Sequence, residues 1–523
     1  MNGKTVKRIA VIDIGTNSIH MVLAEIEKDF SYKIVDRIKE MARLGDGTFT
    51  SHRLSQEAIE RGLTVLKRFS LLAKNKGFDP ILAVATSAVR EAKNGGDFLR
   101  IVRKEIGLRV RVITGQEEAR LIYLGVRHSM DLSATPAMIV DIGGGSVELM
   151  ACSRKRLKFV RSLKMGAIRL KDQYLKSDPP DKKMIHRMEQ AVTRMVKKAL
   201  TKKKVESFGQ LVATSGMAGN LTEIIYLART GRPLSQIDMA TITLKEIQEV
   251  EQLLKTKDAQ GRLKIPGLDP RRVDTLLPGV MVLRVLLQGL KMSEVKISDK
   301  AIREGVIYDF IQQHYEGLKA EQEIPHVRRR QVLLLARKYQ YPKTHSHHTA
   351  KLALSVFDQT QSLHQLSDKE REWLEYAALL HDIGHHISEN KHHKHTFYLM
   401  TQADLPGFSS DEVMIMANVA RYHRRGIPKV QHQGFKLLSR DQRKTVLCLS
   451  ALLRIADGLD RSHFSVVKGV KVELGNPLRF HVAFQYDPEL ELWTMERRKK
   501  LFEKIFRCRI ELKPNPIANR QVA

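Results

Sequence analysis

Val11-Ile-Asp13-Ile-Gly15-Thr-Asn-Ser18-Ile-His-Met-Val22 returns 128 residues later as Ile139-Val-Asp141-Ile-Gly143-Gly-Gly-Ser146-Val-Glu148-Leu-Met150. The shared core is D-I-G-x-x-S. Each copy reads as an apolar strand, a Gly/Ser turn and a second apolar strand, which is a hairpin with a carboxylate at the end of its first strand. Two related α/β domains facing each other follow from the repeat. Between the copies the pattern alternates: helix-like over 55–76, a strand at Ile81–Thr86, helix-like over Ser87–Ile106 and a strand at Arg109–Ile113.

Beyond the second hairpin, Lys182–Lys203 has amphipathic helical spacing and Gln210–Thr214 is a short strand ending in Ser215-Gly216. Helical patterns run over Thr243–Lys255 and Asp274–Leu290, then a turn region over Ser298–Gly305. The polar stretch Gln312–His326 reads as a linker. From about Arg328 to Asp460 the chain is mostly helical and rich in histidine. After Gly458 it changes to alternating segments, Val467–Val472 and Leu478–Phe484, with one helix near Leu492–Phe506. The expected division is 1–126 and 127–312 for the two α/β domains, 327–462 for a helical domain and 463–523 for a small α+β unit.

The chain has 523 residues, enough for about three domains at roughly 100–200 residues each. A formal net charge of +31, from 89 Lys+Arg against 58 Asp+Glu, focuses positive potential on polyanions such as nucleic acid, anionic lipid or a polyphosphorylated molecule. Nucleic acid is disfavoured, because aromatic residues are only 6% and no aromatic RNA-binding strand, zinc finger or KH loop occurs. The clusters Arg154-Lys155-Arg156, Lys202-Lys203-Lys204 and Arg328-Arg329-Arg330 read as solvated faces. Three widely separated cysteines, Cys152, Cys448 and Cys508, offer neither a disulfide framework nor a CxxC site. Neither a signal h-region nor an apolar run of membrane-spanning length is found, so the expected address is the cytosol, free or peripheral at a membrane.

A glycine-rich turn lets backbone N–H groups approach phosphate oxygens, and the Ser or Thr adds hydroxyl donors. The Asp at the strand end can hold Mg²⁺ against those phosphates. Two such hairpins in separate halves form a cleft that grips a phosphate chain from both sides. Gly115-Gln-Glu117-Glu118-Ala-Arg120 follows a strand and opens an apolar helix. Carboxylates there are either dipole partners or, in a phosphate cleft, one of them orients a water for attack. Arg90 is a candidate charge clamp on phosphate oxygens.

These segments, with Ala213–Gly219, Leu277–Gly279 and Arg303–Gly305, resemble the exopolyphosphatase and guanosine pentaphosphate phosphohydrolase family of the actin-like ATPase superfamily. The resemblance implies two actin-like (ribonuclease H-like) domains, then an all-α HD-like domain and the small α+β unit. It assigns the catalytic base to Glu118, metal and phosphate binding through Mg²⁺ to Asp141 and Glu148, and phosphate contacts to Asp13, Gly15, Thr16, Asn17, Ser18 and Arg90. The matching second loop is Gly143, Gly144, Gly145 and Ser146. One departure is Ser298-Asp-Lys300-Ala301, where the family usually has S-D-G-A; Lys300 is expected to stiffen the turn and add charge near the cleft.

In the C-terminal half, His345, His381-Asp382 and Asp457 follow the H…HD…D order of HD phosphohydrolases, and His and Asp suit a divalent metal. The similarity to the third domain of long exopolyphosphatases includes His392-His393-Lys394-His395, Leu405-Pro-Gly-Phe408 and Arg421-Tyr-His423. These residues imply a second divalent metal, structural or serving a second activity; the alternative is a metal-free scaffold whose basic surface extends the polymer channel. The expected function is hydrolysis of terminal phosphate from inorganic polyphosphate by a homodimer, with guanosine pentaphosphate as the alternative substrate. Rivals are a non-enzymatic polyphosphate or alarmone sensor and a sugar or acetate kinase, for which Ala213–Gly219 is a poor adenosine-binding segment.

Overall fold

A computed structural model describes residues 5–27, 31–130, 132, 136–153, 156–200, 208–234, 239–314, 327–424 and 426–516. They form two compact units that divide between residues 325 and 326.

In the first unit, β1 (Thr5–Ile14), β2 (Ile19–Glu27), β3 (Tyr32–Glu40), β4 (Ile81–Ala85) and β5 (Val110–Val112) form one sheet in the order β3-β2-β1-β4-β5. A second sheet contains β6 (Ala137–Ile142), β7 (Val147–Cys152), β8 (Leu157–Leu163), β9 (Gln210–Thr214), β10 (Thr241–Thr243) and β11 (Glu294–Ser298), in the order β10-β11-β9-β6-β7-β8. The repeat thus extends from two hairpins to two whole sheets, since each continues from its hairpin into parallel pairing with a later strand. Central strand β1 is apolar on both faces because both are covered. Ile9 and Val11 enter one core while Ala10, Ile12 and Ile14 enter another, where they meet the helix Gln56–Asn75.

Two local expectations change. The helix expected over Ser87–Ile106 is two helices, Ser87–Glu91 and Gly95–Ile106. Asn94 makes the break: its side chain accepts from the Leu54 N–H at 2.8 Å and donates to the Leu54 carbonyl at 2.9 Å, a tertiary contact that local pattern does not announce. A helix, Ile302–His314, begins within the expected Ser298–Gly305 turn and runs into the expected linker. It crosses the helix Gly115–Arg127 so closely that a Cβ on Gly305 would sit 1.8 Å from the Leu121 carbonyl oxygen. The remainder of the linker, Arg154-Lys155 and Lys202-Lys203-Lys204 lie outside the described residues.

The second unit is mostly helical, with Lys343–Gln359, Asp368–Leu380, His392–Thr401, Ser410–Arg421 and Arg440–Gly458 around one core. That core continues into a three-stranded sheet of β12 (Val467–Glu473), β13 (Leu478–Phe484) and β14 (Ile510–Pro516), through Phe480 and the Phe502 of the helix Glu489–Phe506. The basic cluster at Arg328-Arg329-Arg330 is not a solvated face. Arg328 pairs with Glu412 at 3.1 Å and Glu372 at 3.0 Å and covers the Phe408 ring, and Arg329 pairs with Glu375 at 3.0 Å. Among the described residues, no helix is long and apolar enough to cross a membrane.

Candidate active site

Both hairpin turns close in the same way, with Gly15 N–H donating to the Ser18 carbonyl at 3.1 Å and Gly143 N–H to that of Ser146 at 3.0 Å. The turns meet: a Cβ on Gly144 would lie 2.9 Å from the Thr16 Cβ, so only glycine lets the second turn approach the first. Between them is a cleft open to solvent. Asp13, Gly15, Thr16, Asn17, Ser18, Glu118, Asp141, Gly143, Gly144 and Ser146 line it. Of the expected first-unit site residues, Arg90, Gly145 and Glu148 stand outside this lining. Gly145 packs on Phe49 and Ser87 instead.

Four carboxylates meet here because two strand ends and one helix start converge. Asp13 ends β1 and Asp141 ends β6, where it stands directly opposite Glu148 of β7. Glu148 is fully buried and its Oε1 accepts from Ser162 Oγ at 2.8 Å. Glu118 lies in the first turn of Gly115–Arg127, a helix capped by the Thr114 side chain. Burial pushes the Asp13 carboxyl up to about 6, with Glu304 raising and Arg303 lowering it. Asp141 is driven well above the carboxylate range by burial and then by the charges of Glu118 and Asp13. Burial raises Glu118 and Glu148 too, and Asp141 adds to the rise at Glu148.

Acidic groups this close hold protons unless a cation joins them. Asp13 Oδ1 and Glu148 Oε2 are buried with no hydrogen-bond partner. Orphaned oxygen donors of this kind fit a hard divalent cation, and Asp13, Asp141 and Glu148 are the residues that could hold it.

Arg90 stands against Glu118. Its Nη1 donates to Glu118 Oε2 at 2.9 Å and to the Ile113 carbonyl at 2.7 Å, which fixes the carboxylate with one oxygen held. The cations in the lining are Arg272 and Arg303. Arg303 Nε is buried without a partner, and its Nη1 meets Nδ1 of His20. Burial, then Arg303 and Lys39, push His20 down to about 2, so the imidazole is neutral, accepts from Arg303 and presents Nε2–H to Ser18 Oγ at 2.7 Å. Arg272 is buried against Gly216 at the start of the helix Gly216–Thr230, and its carboxylate neighbour Asp269 is 3.8 Å away. His20 and Arg272 have no part in the sequence reading, and Arg303 enters it only at the head of the segment Arg303–Gly305. His20 was nonetheless within reach, because the 128-residue offset aligns it with Glu148; nothing in an Arg-Arg pair announces Arg272.

Lys300 does not add charge to the cleft. Its side chain is buried and pairs with Asp299 at 3.1 Å, its N–H donates to Ser298 Oγ at 3.2 Å, and its carbonyl accepts from Thr214 Oγ1 at 2.8 Å. The turn therefore accommodates a lysine without a left-handed residue there.

In the second unit, His345, His381, Asp382 and Asp457 come together, all buried. His345 Nε2 lies 3.2 Å from His381 Nε2, 3.5 Å from Asp457 Oδ1 and 3.8 Å from Asp382 Oδ2, and His381 Nε2 is 3.6 Å from that same Asp382 oxygen. Two nitrogens and two oxygens at these separations surround a space suited to an ion with bonds of about 2.0–2.2 Å.

Residues 22–314 match the Ppx/GppA phosphatase family, and residues 327–486 match Ppx/GppA phosphatase, domain III. Among solved structures, the Ppx/GppA family member of Aquifex aeolicus is similar at 27% identity, over 59% of this chain and 99% of that one, with a TM-score of 0.51. An exopolyphosphatase from Cytophaga hutchinsonii is similar at 27% identity, over 59% and 98%, with a TM-score of 0.54. This chain thus has actin-like α/β sheets, then a helical region and a small terminal β unit, as expected from the sequence. The chain belongs to the Ppx/GppA phosphatase family, hydrolases that act on phosphoanhydride bonds.

Proposed function

We propose that the cleft between the two turns is an exopolyphosphatase active site, which releases terminal orthophosphate from inorganic polyphosphate, with guanosine pentaphosphate as the alternative substrate. One observation carries the reading. The Glu118 carboxylate is buried at the wall of a cleft bounded by two facing glycine-rich turns, with Oε2 held by Arg90. Its Oε1 is then the atom that receives a proton from the attacking water, which it also orients.

The turn amides and the hydroxyls of Thr16, Ser18 and Ser146 receive phosphate oxygens, and Arg272 and Arg303 supply the cationic donors on the same wall. Mg²⁺, when held by Asp141 and Glu148, neutralises charge that develops on the transferring phosphoryl group. Burial first, and then neighbouring carboxylates, hold Asp141 and Glu148 protonated, so a cation bound there would favour their ionised forms and would lower the Glu118 carboxyl as well. A net charge of +31 favours a long polyanion over a nucleotide, since an extended substrate meets far more of that field.

The test is phosphate release by purified protein from long polyphosphate, short polyphosphate and guanosine pentaphosphate, each with Mg²⁺ and with chelator. Highest kcat/KM on long polyphosphate is expected. Preference for the nucleotide would reassign the substrate, and release from none of the three would overturn the reading.

A further inference from the structure

Asp382 faces two ways. Its Oδ2 belongs to the group formed with His345, His381 and Asp457, whereas Oδ1 points to another pair, 3.4 Å from His392 Nε2 and 3.7 Å from His423 Nε2. Those two nitrogens are 3.3 Å apart. His392 and His423 are as deeply buried as the first group, at 3% and 2% exposure.

The outer hydrogen bonds place a proton on Nδ1 in three of the four histidines. Nδ1 of His345 meets Asp460 Oδ2 at 2.8 Å, and that of His381 meets the Ala378 carbonyl at 2.6 Å. Nδ1 of His423 meets the Ala420 carbonyl at 2.6 Å, and that of His392 lies between the Glu389 carbonyl, at 3.1 Å, and Arg424 Nη1, at 3.4 Å. An acceptor at Nδ1 of His345, His381 and His423 puts an N–H there, and all four Nε2 atoms turn inward, in two pairs. Two pairs of buried imidazole nitrogens at 3.2 Å and 3.3 Å, each beside an oxygen of Asp382, are donor sets that one cation per pair would satisfy. Arg498 binds Asp457 through Oδ2, which leaves Oδ1 for the first group.

We infer that the second unit holds a dinuclear divalent-metal centre, with Asp382 as the bridging carboxylate, His345, His381 and Asp457 on one ion and His392 and His423 on the other, and that this centre hydrolyses phosphate esters. Four imidazoles and two carboxylates select nitrogen-seeking first-row ions such as Mn²⁺, Fe²⁺ or Zn²⁺ over Mg²⁺ or Ca²⁺. Two carboxylates leave two divalent ions with excess positive charge, which hydroxide and an oxyanion substrate neutralise. Exposed His385 and His463, stacked on the rings of His392 and His345, mark where the cluster reaches solvent. There a metal-bound water attacks phosphorus: a new O–P bond forms, the ester P–O bond breaks, the leaving oxygen takes one proton of the water and the phosphate keeps the other.

The experiment uses the full chain, stripped with chelator, reloaded with Mn²⁺ or Zn²⁺, desalted and measured for metal per chain. Two ions are expected, falling to one in His392→Gln and His423→Gln and staying at two in His386→Gln, a neighbour outside both groups. The Mn²⁺ form of the unaltered chain is expected to give the electron paramagnetic resonance spectrum of a coupled pair, a readout that does not depend on whether the variants fold. In a Glu118→Gln background, which silences the first-unit cleft, p-nitrophenyl phosphate or its bis-ester is expected to be hydrolysed, and at least tenfold more slowly after His423→Gln. At most one ion in the unaltered chain, an isolated-ion spectrum, or an unchanged count in His423→Gln would overturn the dinuclear centre. Two ions without turnover of either ester would overturn the hydrolytic role.

Discussion

One nitrogen of Arg90 bonds both the Glu118 carboxylate, at 2.9 Å, and the Ile113 carbonyl, at 2.7 Å. The carbonyl ties the guanidinium to the end of the segment that leads into the Glu118 helix, so position and charge of the base are set together. If Arg90 serves Glu118 in this way, Arg90→Ala removes a cation that lowers the Glu118 pKa. The base then loses its charge at a higher pH. The acid limb of kcat/KM for polyphosphate is expected to move to higher pH, with kcat down about 10–100-fold. A pH–rate profile checks the shift, and an unmoved limb would return Arg90 to a direct phosphate contact.

Glu118→Gln keeps the shape of the side chain and removes its basicity. Phosphate release is expected to fall roughly 10²–10⁴-fold, while equilibrium binding of polyphosphate changes little. Near-normal turnover would pass the role to Glu117, which instead pairs with Arg120 at 2.7 Å.

Asp13 carries a sign that can be read in stability. Its folded pKa of about 6 exceeds the ordinary 3.8, so the folded state favours the protonated form. Below pH 4 this costs nothing; the penalty grows as pH rises toward about 6 and is constant beyond. In chelator, Asp13→Asn is therefore expected to be more stable than the unaltered chain at pH 7.5, by about 1–3 kcal/mol, with the difference vanishing near pH 4. Denaturant titrations at the two pH values measure it, and Mg²⁺ is expected to reverse the order at pH 7.5.

Arg272 has a weakly placed carboxylate neighbour and lines the cleft. Arg272→Met is expected to raise KM for short polyphosphate about 10–100-fold, the worth of one charge-assisted hydrogen bond, with a smaller effect on kcat. Steady-state kinetics at fixed ionic strength separate the two.

What was legible in the sequence is what local chemistry writes there. The hairpins announce themselves by two apolar runs around a glycine turn, and their carboxylates by position at the strand end. The helix Ile302–His314 escaped notice because it is buried on nearly every side, which leaves no polar face to give it a period. The break at Asn94 is made by Leu54, forty residues away in the chain. His392 and His423 stood in recognised motifs, but their pairing exists only once the helices His392–Thr401 and Ser410–Arg421 and the segment after Leu380 pack together. Arg328 looked like one of many surface cations, and only the fold supplies the two glutamates that claim it.

The five strands of the first sheet recur in the second, which adds β10, but the residue opposite the strand-end aspartate is histidine in one and glutamate in the other. A pair of identical jaws would hold a phosphate chain equally well in either orientation. Unlike jaws give the cleft a polarity: the neutral His20, bonded to Arg303, lines it from one hairpin, and Asp141, with Glu148 buried opposite it in the sheet, lines it from the other. On the proposed reading, a linear polyphosphate whose two ends are chemically the same would meet a front and a back in this cleft.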